Sequence, residues 1–76
     1  MSPLTEAPQG RAMRVVSVEG GHGLVQRLAG LGLTVGAEVR SIIAHDRGPM
    51  LVVVRGTRLA LGRGIAARVI VEAADV

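Results

Sequence analysis

None of the 76 residues is Phe, Tyr, Trp or Cys, so any fold this chain adopts must be held by aliphatic side chains alone, with no disulfide and no large aromatic piece in its core. A chain this short buries only about 60% of the surface its unfolded form exposes. Its core must therefore be dense in Val, Leu, Ile and Ala, and hydrophobic residues make up 49% of the sequence. That balance belongs to one small folded domain and not to a disordered tail. The same absences narrow the chemistry. Without cysteine there is no thiolate nucleophile, no cysteine-ligated zinc and no iron–sulfur cluster, and the redox compartment cannot be read. Without lysine there is no Schiff base and no Walker-type phosphate loop.

All nine basic side chains are arginines, at 11, 14, 27, 40, 47, 55, 58, 63 and 68, against six acids, for a net charge of +3. They are spread along the chain and form no run of the kind that marks a nucleic-acid arm. Single-stranded nucleic acid would find only His22 and His45 to stack on. The segment Met1-Ser2-Pro3-Leu4-Thr5-Glu6 lacks the basic start and apolar run of a secretory signal. The apolar stretches Met50–Val54 and Val69–Val71 fall far short of the ~18 to 20 residues a membrane span needs. The expectation is a cytoplasmic protein that is not itself embedded in a membrane.

Periodicity organises the rest. Ala12 to Val18 reads as a first strand, with Met13, Val15, Val16 and Val18 offering apolar groups to both faces. Gly20-Gly21-His22-Gly23 reads as a turn, and Leu24, Leu28 and Leu31 then fall at i, i+4 and i+7, one stripe of a short helix facing the core. Gly30 or Gly32 can supply its C-cap, with Leu33 making the accompanying apolar contact. Thr34-Val35-Gly36-Ala37 fits a type II turn. Strands follow at Val39–Ala44, Met50–Val54 and Thr57–Leu61, separated by Asp46-Arg47-Gly48-Pro49 and by the tight reversal Arg55-Gly56. Ile65-Ala66-Ala67 makes a helical turn before a last strand, Arg68–Glu72. The fold expected is mostly β: a small barrel of about five strands, closed to protect their edges, with one short α-helix and a short helical turn before the last strand. Residues 1–11 form an extension that packs on the barrel or frays from it, and residues 12–76 the barrel domain.

The order of these pieces carries a resemblance. Leu24-Val25-Gln26-Arg27-Leu28-Ala29-Gly30-Leu31-Gly32-Leu33, then Val35-Gly36-Ala37-Glu38-Val39, Gly48-Pro49, Arg55 to Leu61 and Ala66-Ala67-Arg68-Val69-Ile70-Val71 resemble the ferrous iron transport protein A family, FeoA. Its pattern is a helix ending R-L-x-x-L-G-L, a P-G-x-x-V turn and strand, a G-P hairpin and an A-L-x-x-x-x-A-x-x-I-x-V tail. The resemblance covers the chain from Leu4 onward. It implies an SH3-like small β-barrel, an accessory or regulatory role in ferrous iron uptake, and binding to the cytoplasmic region of the membrane ferrous iron transporter FeoB. Two positions depart from the pattern: Val35 stands where the family often has proline, and Gly64-Ile65 replaces a more polar pair, marking Ile65 as a candidate contact or a mobile final turn.

Candidate sites are few. His22, His45, Asp46, Glu19 and Glu38 are residue types that ligate Fe(II). Yet His45 and Asp46 are neighbours on or beside a strand and so diverge, and His22 has only Glu19 near it in sequence. No metal site is expected on that spacing, and His22, His45 and Asp46 are the weak candidates for holding Fe2+ or another divalent ion. The glycine turn before the helix lacks the Lys-Ser or Lys-Thr of a nucleotide loop. Ser17 and Ser41 have no base at motif spacing, so no enzymatic activity is expected. Interaction remains. Val25 and Ala29 flank the leucine stripe as an apolar shoulder beside Arg27, and Arg47, Arg55, Arg58 and Arg63, at turns and hairpin tips, suit acidic groups of a partner. Recognition of proline-rich peptides through an aromatic-lined groove is excluded. The Val-rich strand Met50–Val54 could pair two copies of the chain by its edge. The alternatives are a basic barrel that binds nucleic acid and a domain that senses a transition metal.

Overall fold

The computed structural model describes residues 1–43 and 48–74. Among them one antiparallel sheet holds six strands: β1 (Ser2–Pro3), β2 (Ala12–Val18), β3 (Glu38–Ile43), β4 (Met50–Val54), β5 (Thr57–Leu61) and β6 (Val69–Ala73), in the spatial order β1-β6-β2-β3-β4-β5. A 3₁₀ turn covers Leu4–Glu6, helix α1 spans His22–Gly30, and the one-turn helix α2 spans Arg63–Ala66. This is the mostly-β small barrel with its short helix and final helical turn.

The sixth strand comes from the leading segment. Ser2 lies opposite Val71 and Pro3 opposite Ile70, and Leu4 and Ala7 behind them are buried. A proline is tolerated in β1 because that strand is an edge and has a partner on one side only. The strand Met50–Val54, by contrast, is not an edge: β4 runs between β3 and β5, its backbone groups are committed on both sides, and pairing of two copies through it is ruled out.

The core is aliphatic throughout. Val15, Val39, Met50, Val52, Val54, Leu61, Val69 and Val71 line the inner face of the sheet, and Leu4, Leu28, Leu33 and Ala66 close over it. Each fully buried Val or Leu contributes roughly 1.5–3 kcal/mol. The two-faced reading of β2 is corrected by its register. Val15 opposes Val71 and Ser17 opposes Ile70, which leaves Val16 as the extra residue of a β-bulge. The bulge shifts the alternation by one, so Met13 and Val15 face inward before it and Val18 packs on the core after it. One apolar face is thus written as two.

Helix α1 starts earlier than the leucines suggest, at His22, with Gly21 as its N-cap and no side-chain hydrogen bond there. Its end is a Schellman motif: the Leu33 N–H donates to the Leu28 carbonyl at 2.9 Å and the Gly32 N–H to the Ala29 carbonyl at 3.0 Å. Gly32, at φ +94°, is the left-handed residue, and a Cβ there would stand 3.1 Å from Val54 Cγ1. Leu31 is the C-cap residue just past the end of the helix. It is 47% exposed, and Leu33 takes its place in the core. The type II turn follows as expected, with Gly36 at φ +91° and the Ala37 N–H donating to the Thr34 carbonyl at 3.0 Å.

Candidate partner-docking site

The turn after α1 is stitched to β2: the Gly36 N–H donates to the Val15 carbonyl at 2.8 Å, and the Val15 N–H donates to the Ala37 carbonyl at 2.9 Å. This pins Val35 beside the strand while the Schellman cap holds α1 above it. Between them opens a cleft of about 300 Å³ lined by Ser17, Val18, Val25, Ala29, Leu33, Thr34 and Val35. Val25 and Ala29 reach it together because they stand one helical turn apart. Leu33 forms its buried floor, and its walls are open, with Val25 38% and Val35 70% exposed.

Among the described residues the lining carries no ionisable side chain, and the hydroxyls of Ser17 and Thr34 add the only hydrogen-bonding side chains to a surface that otherwise suits apolar groups. Val25 and Ala29, expected on the shoulder of the leucine stripe, are brought together here. Arg27 is not. Two residues along a helix is a rotation of about 200°, which sets Arg27 on the far side of α1 from Val25, and it takes no part in the lining. Val18, Leu33 and Val35 were not among the candidates. The signal for Val35 was an apolar residue at the second position of a turn, where solvent is the ordinary surrounding.

The other candidates scatter. Arg55 and Arg58 belong to the β4–β5 hairpin, and Arg55, with φ +52° ahead of Gly56 at φ +78°, forms the primed turn that a two-residue hairpin needs. Arg55 borders a cleft of about 400 Å³ with Glu38, Arg40, Val53 and Gly56. Arg63 is half-buried on α2, with its Nε enclosed and without a hydrogen-bond partner. Ile65 is half-buried and packs against the core. His22 is exposed at the start of α1. Arg47, His45 and Asp46 lie outside the described residues, among which no three His, Asp or Glu side chains gather as a metal site would require. No helix among them is long and apolar enough to cross a membrane.

Comparison with known proteins places this architecture. Residues 2–73 match the model of the FeoA domain. The chain is 33% identical over 75 residues to a protein of Methanocaldococcus jannaschii named as an Fe(2+) transport protein A, a match that spans 99% of this chain and 90% of that one. It superposes on the crystal structure of an iron uptake regulatory protein, FeoA, with a TM-score of 0.86 at 41% identity, over 92% of this chain and 93% of that one. It also superposes on Stenotrophomonas maltophilia FeoA in complex with zinc, a prokaryotic SH3 domain protein, with a TM-score of 0.82 at 35% identity, over 95% and 91% of the two chains. The β-barrel is SH3-like, and with the family model covering all but the chain's extremities, this chain belongs to the FeoA domain family.

Proposed function

We propose that this chain is a cytoplasmic accessory protein of ferrous iron uptake that docks on the cytoplasmic region of the membrane transporter FeoB through the cleft between α1 and the 34–37 turn. Family membership supports the role in ferrous iron transport. The observation that carries the docking is the cleft itself: an open, largely apolar surface of the kind that takes up a partner's side chains. On this reading the chain acts on the transporter by contact, the ion being the transporter's cargo.

The test is capture of the cytoplasmic domain of the transporter from the same genome on the immobilised protein, with and without guanine nucleotide, at low and high salt. Apolar docking survives high salt, whereas contact with phosphates weakens steeply as salt rises. The double variant Val25→Glu, Val35→Glu changes two exposed positions and keeps the far-UV spectrum, and it is expected to lose at least about tenfold in capture, since two buried unpaired charges cost well over 1.4 kcal/mol. Undiminished capture by that variant would remove the cleft from the interface. Co-purification of nucleic acid in place of the transporter domain would move the assignment to the basic-barrel alternative.

A further inference from the structure

We propose that the free edge of β5 accepts an extended acidic segment of a partner protein as a seventh strand of the sheet. The proposal goes beyond the cleft at α1 and does not depend on it, because the two surfaces are built from different elements.

The edge is defined by the hairpin. The two-residue turn Arg55-Gly56 closes Val54 against Thr57, and that pair carries the hydrogen bond that defines the turn. Bonded and non-bonded pairs alternate along an antiparallel ladder. Thr57, Leu59 and Leu61 therefore turn their backbone groups toward β4, and Arg58 and Ala60 turn theirs away. Among the described residues no strand lies beyond β5, and no backbone hydrogen bond reaches Arg58 or Ala60 from that side. Both residues are exposed. Proteins commonly blunt such an edge with a bulge, a proline or a charged side chain. β5 has no bulge and no proline, all five of its pairs with β4 being in regular register, and its one charge, Arg58, selects by sign what can pair there.

The two faces of the edge specify what would pair there. On the outer face Arg40, Val53 and Arg58 lie in one cross-strand row, so the residue that an added strand sets opposite Arg58 meets a guanidinium, and a carboxylate suits it. Five of the nine arginines and none of the six acids fall within residues 47–71, and Glu38, the acid on this face, sits with Arg40 and Arg55 and is not in the cross-strand row of Arg58. On the inner face Leu59 borders a cleft of about 340 Å³ with Leu31, Ala29 and Thr57. Leu31 is exposed, and an apolar side chain flanking the carboxylate would cover it. A strand that alternates acidic and apolar residues satisfies backbone, outer face and inner face together. A second copy of β5 would instead bring the same basic segment against itself.

The test titrates the ¹⁵N-labelled protein with a blocked hexapeptide of alternating valine and glutamate, and in parallel with its valine–lysine counterpart, while amide shifts and hydrogen exchange are recorded. The glutamate peptide is expected to shift and protect the N–H groups of Arg58 and Ala60, and to bind about fivefold tighter than the lysine peptide. Ala60→Pro removes an outward N–H while leaving the ladder to β4 whole, and is expected to abolish protection at Arg58 with the far-UV spectrum kept. Arg58→Glu, which stands as the test even where the proline variant does not fold, is expected to make the lysine peptide the tighter ligand. Equal response to both peptides, or shifts at Val25 and Val35 with none at Arg58 and Ala60, would overturn the proposal. So would concentration-dependent dimerisation that Ala60→Pro alone removes, since the edge would then belong to a second copy. None of these outcomes depends on capture of the transporter domain, so this proposal and the docking reading fail separately.

Discussion

Ser41 is the one polar residue enclosed in the core among the described residues, and its Oγ has no hydrogen-bond partner. Its backbone is well used, the carbonyl accepting from the Gly10 N–H at 2.7 Å, so the cost lies in the hydroxyl alone. A buried donor left unmade costs roughly 1–3 kcal/mol. Ser41→Ala deletes the hydroxyl without opening much space and is expected to stabilise the fold by about 1 kcal/mol, raising Tm by about 4–8 °C. The chain has no aromatic residue to report by fluorescence, so far-UV circular dichroism is the measurement, and a Tm that falls would show the hydroxyl to be satisfied. A second residue-scale prediction separates two leucines that sequence spacing alone ranks the wrong way round. Leu33→Ala is expected to cost about 2–5 kcal/mol and Leu31→Ala less than about 0.5 kcal/mol. The 3.6-residue repeat was sound for Leu24 and Leu28. It failed at Leu31 because periodicity carries no information about where a helix stops.

The elements were legible where local chemistry decides them and obscure where a partner strand does. The turns at 34–37 and 55–56 follow from glycines that must take positive φ and stand where the sequence puts them, and of the two glycines that could cap α1, Gly30 and Gly32, the positive φ falls on Gly32. The bulge in β2 could not be read, because Val16 differs from its neighbours only in what lies across from it. For the same reason only two of the seven residues that line the cleft beside α1 could be grouped from the sequence. Val25 and Ala29 share a helix and hence a spacing, but Val18 and Val35 join them through the tertiary hydrogen bonds between β2 and the turn. The local part of this account makes a sign-reversing prediction. A Cβ at Gly23 or at Gly56 would meet nothing within 4 Å, so only the backbone distinguishes them. Gly23→Ala lies within α1 and is expected to stabilise by roughly 0.5–1 kcal/mol. Gly56→Ala, at φ +78°, is expected to destabilise by roughly 1–2 kcal/mol. Denaturant titration of the two variants reads both signs, and two shifts of the same sign would refute the turn geometry.

At the scale of the whole molecule, the sheet order joins the two ends of the chain. β6 is held between β2 on one side and β1 on the other, so the strand that completes the barrel is finished only when Ser2 and Pro3 pair with Val71 and Ile70. The sequence sets residues 1–11 apart, as an extension that packs on the barrel or frays from it, because a two-residue strand shows no period. What gives the segment its weight is non-local: Leu4 and Ala7 fill the core from the end that β1 reaches. The consequence can be sized. A domain of this length holds on the order of 4–11 kcal/mol in total, and truncating one fully buried leucine costs about 2–5 kcal/mol. Leu4→Ala is therefore expected to remove a large share of the stability. Deletion of residues 1–7 removes Leu4 and Ala7 and bares the outer edge of β6, and is expected to abolish the cooperative transition at 25 °C or to lower stability by at least about 3 kcal/mol. An arm that merely lay along the barrel would come away at almost no cost. Because β2 and β6 draw on opposite ends of the chain, the loss should be global: amide exchange in the deletion variant is expected to accelerate at Val52 and Val54 on β4, three strands away from β6, as well as at Val69 and Val71. Acceleration confined to β6 would show that the leading segment is an appendage and that the barrel closes without it.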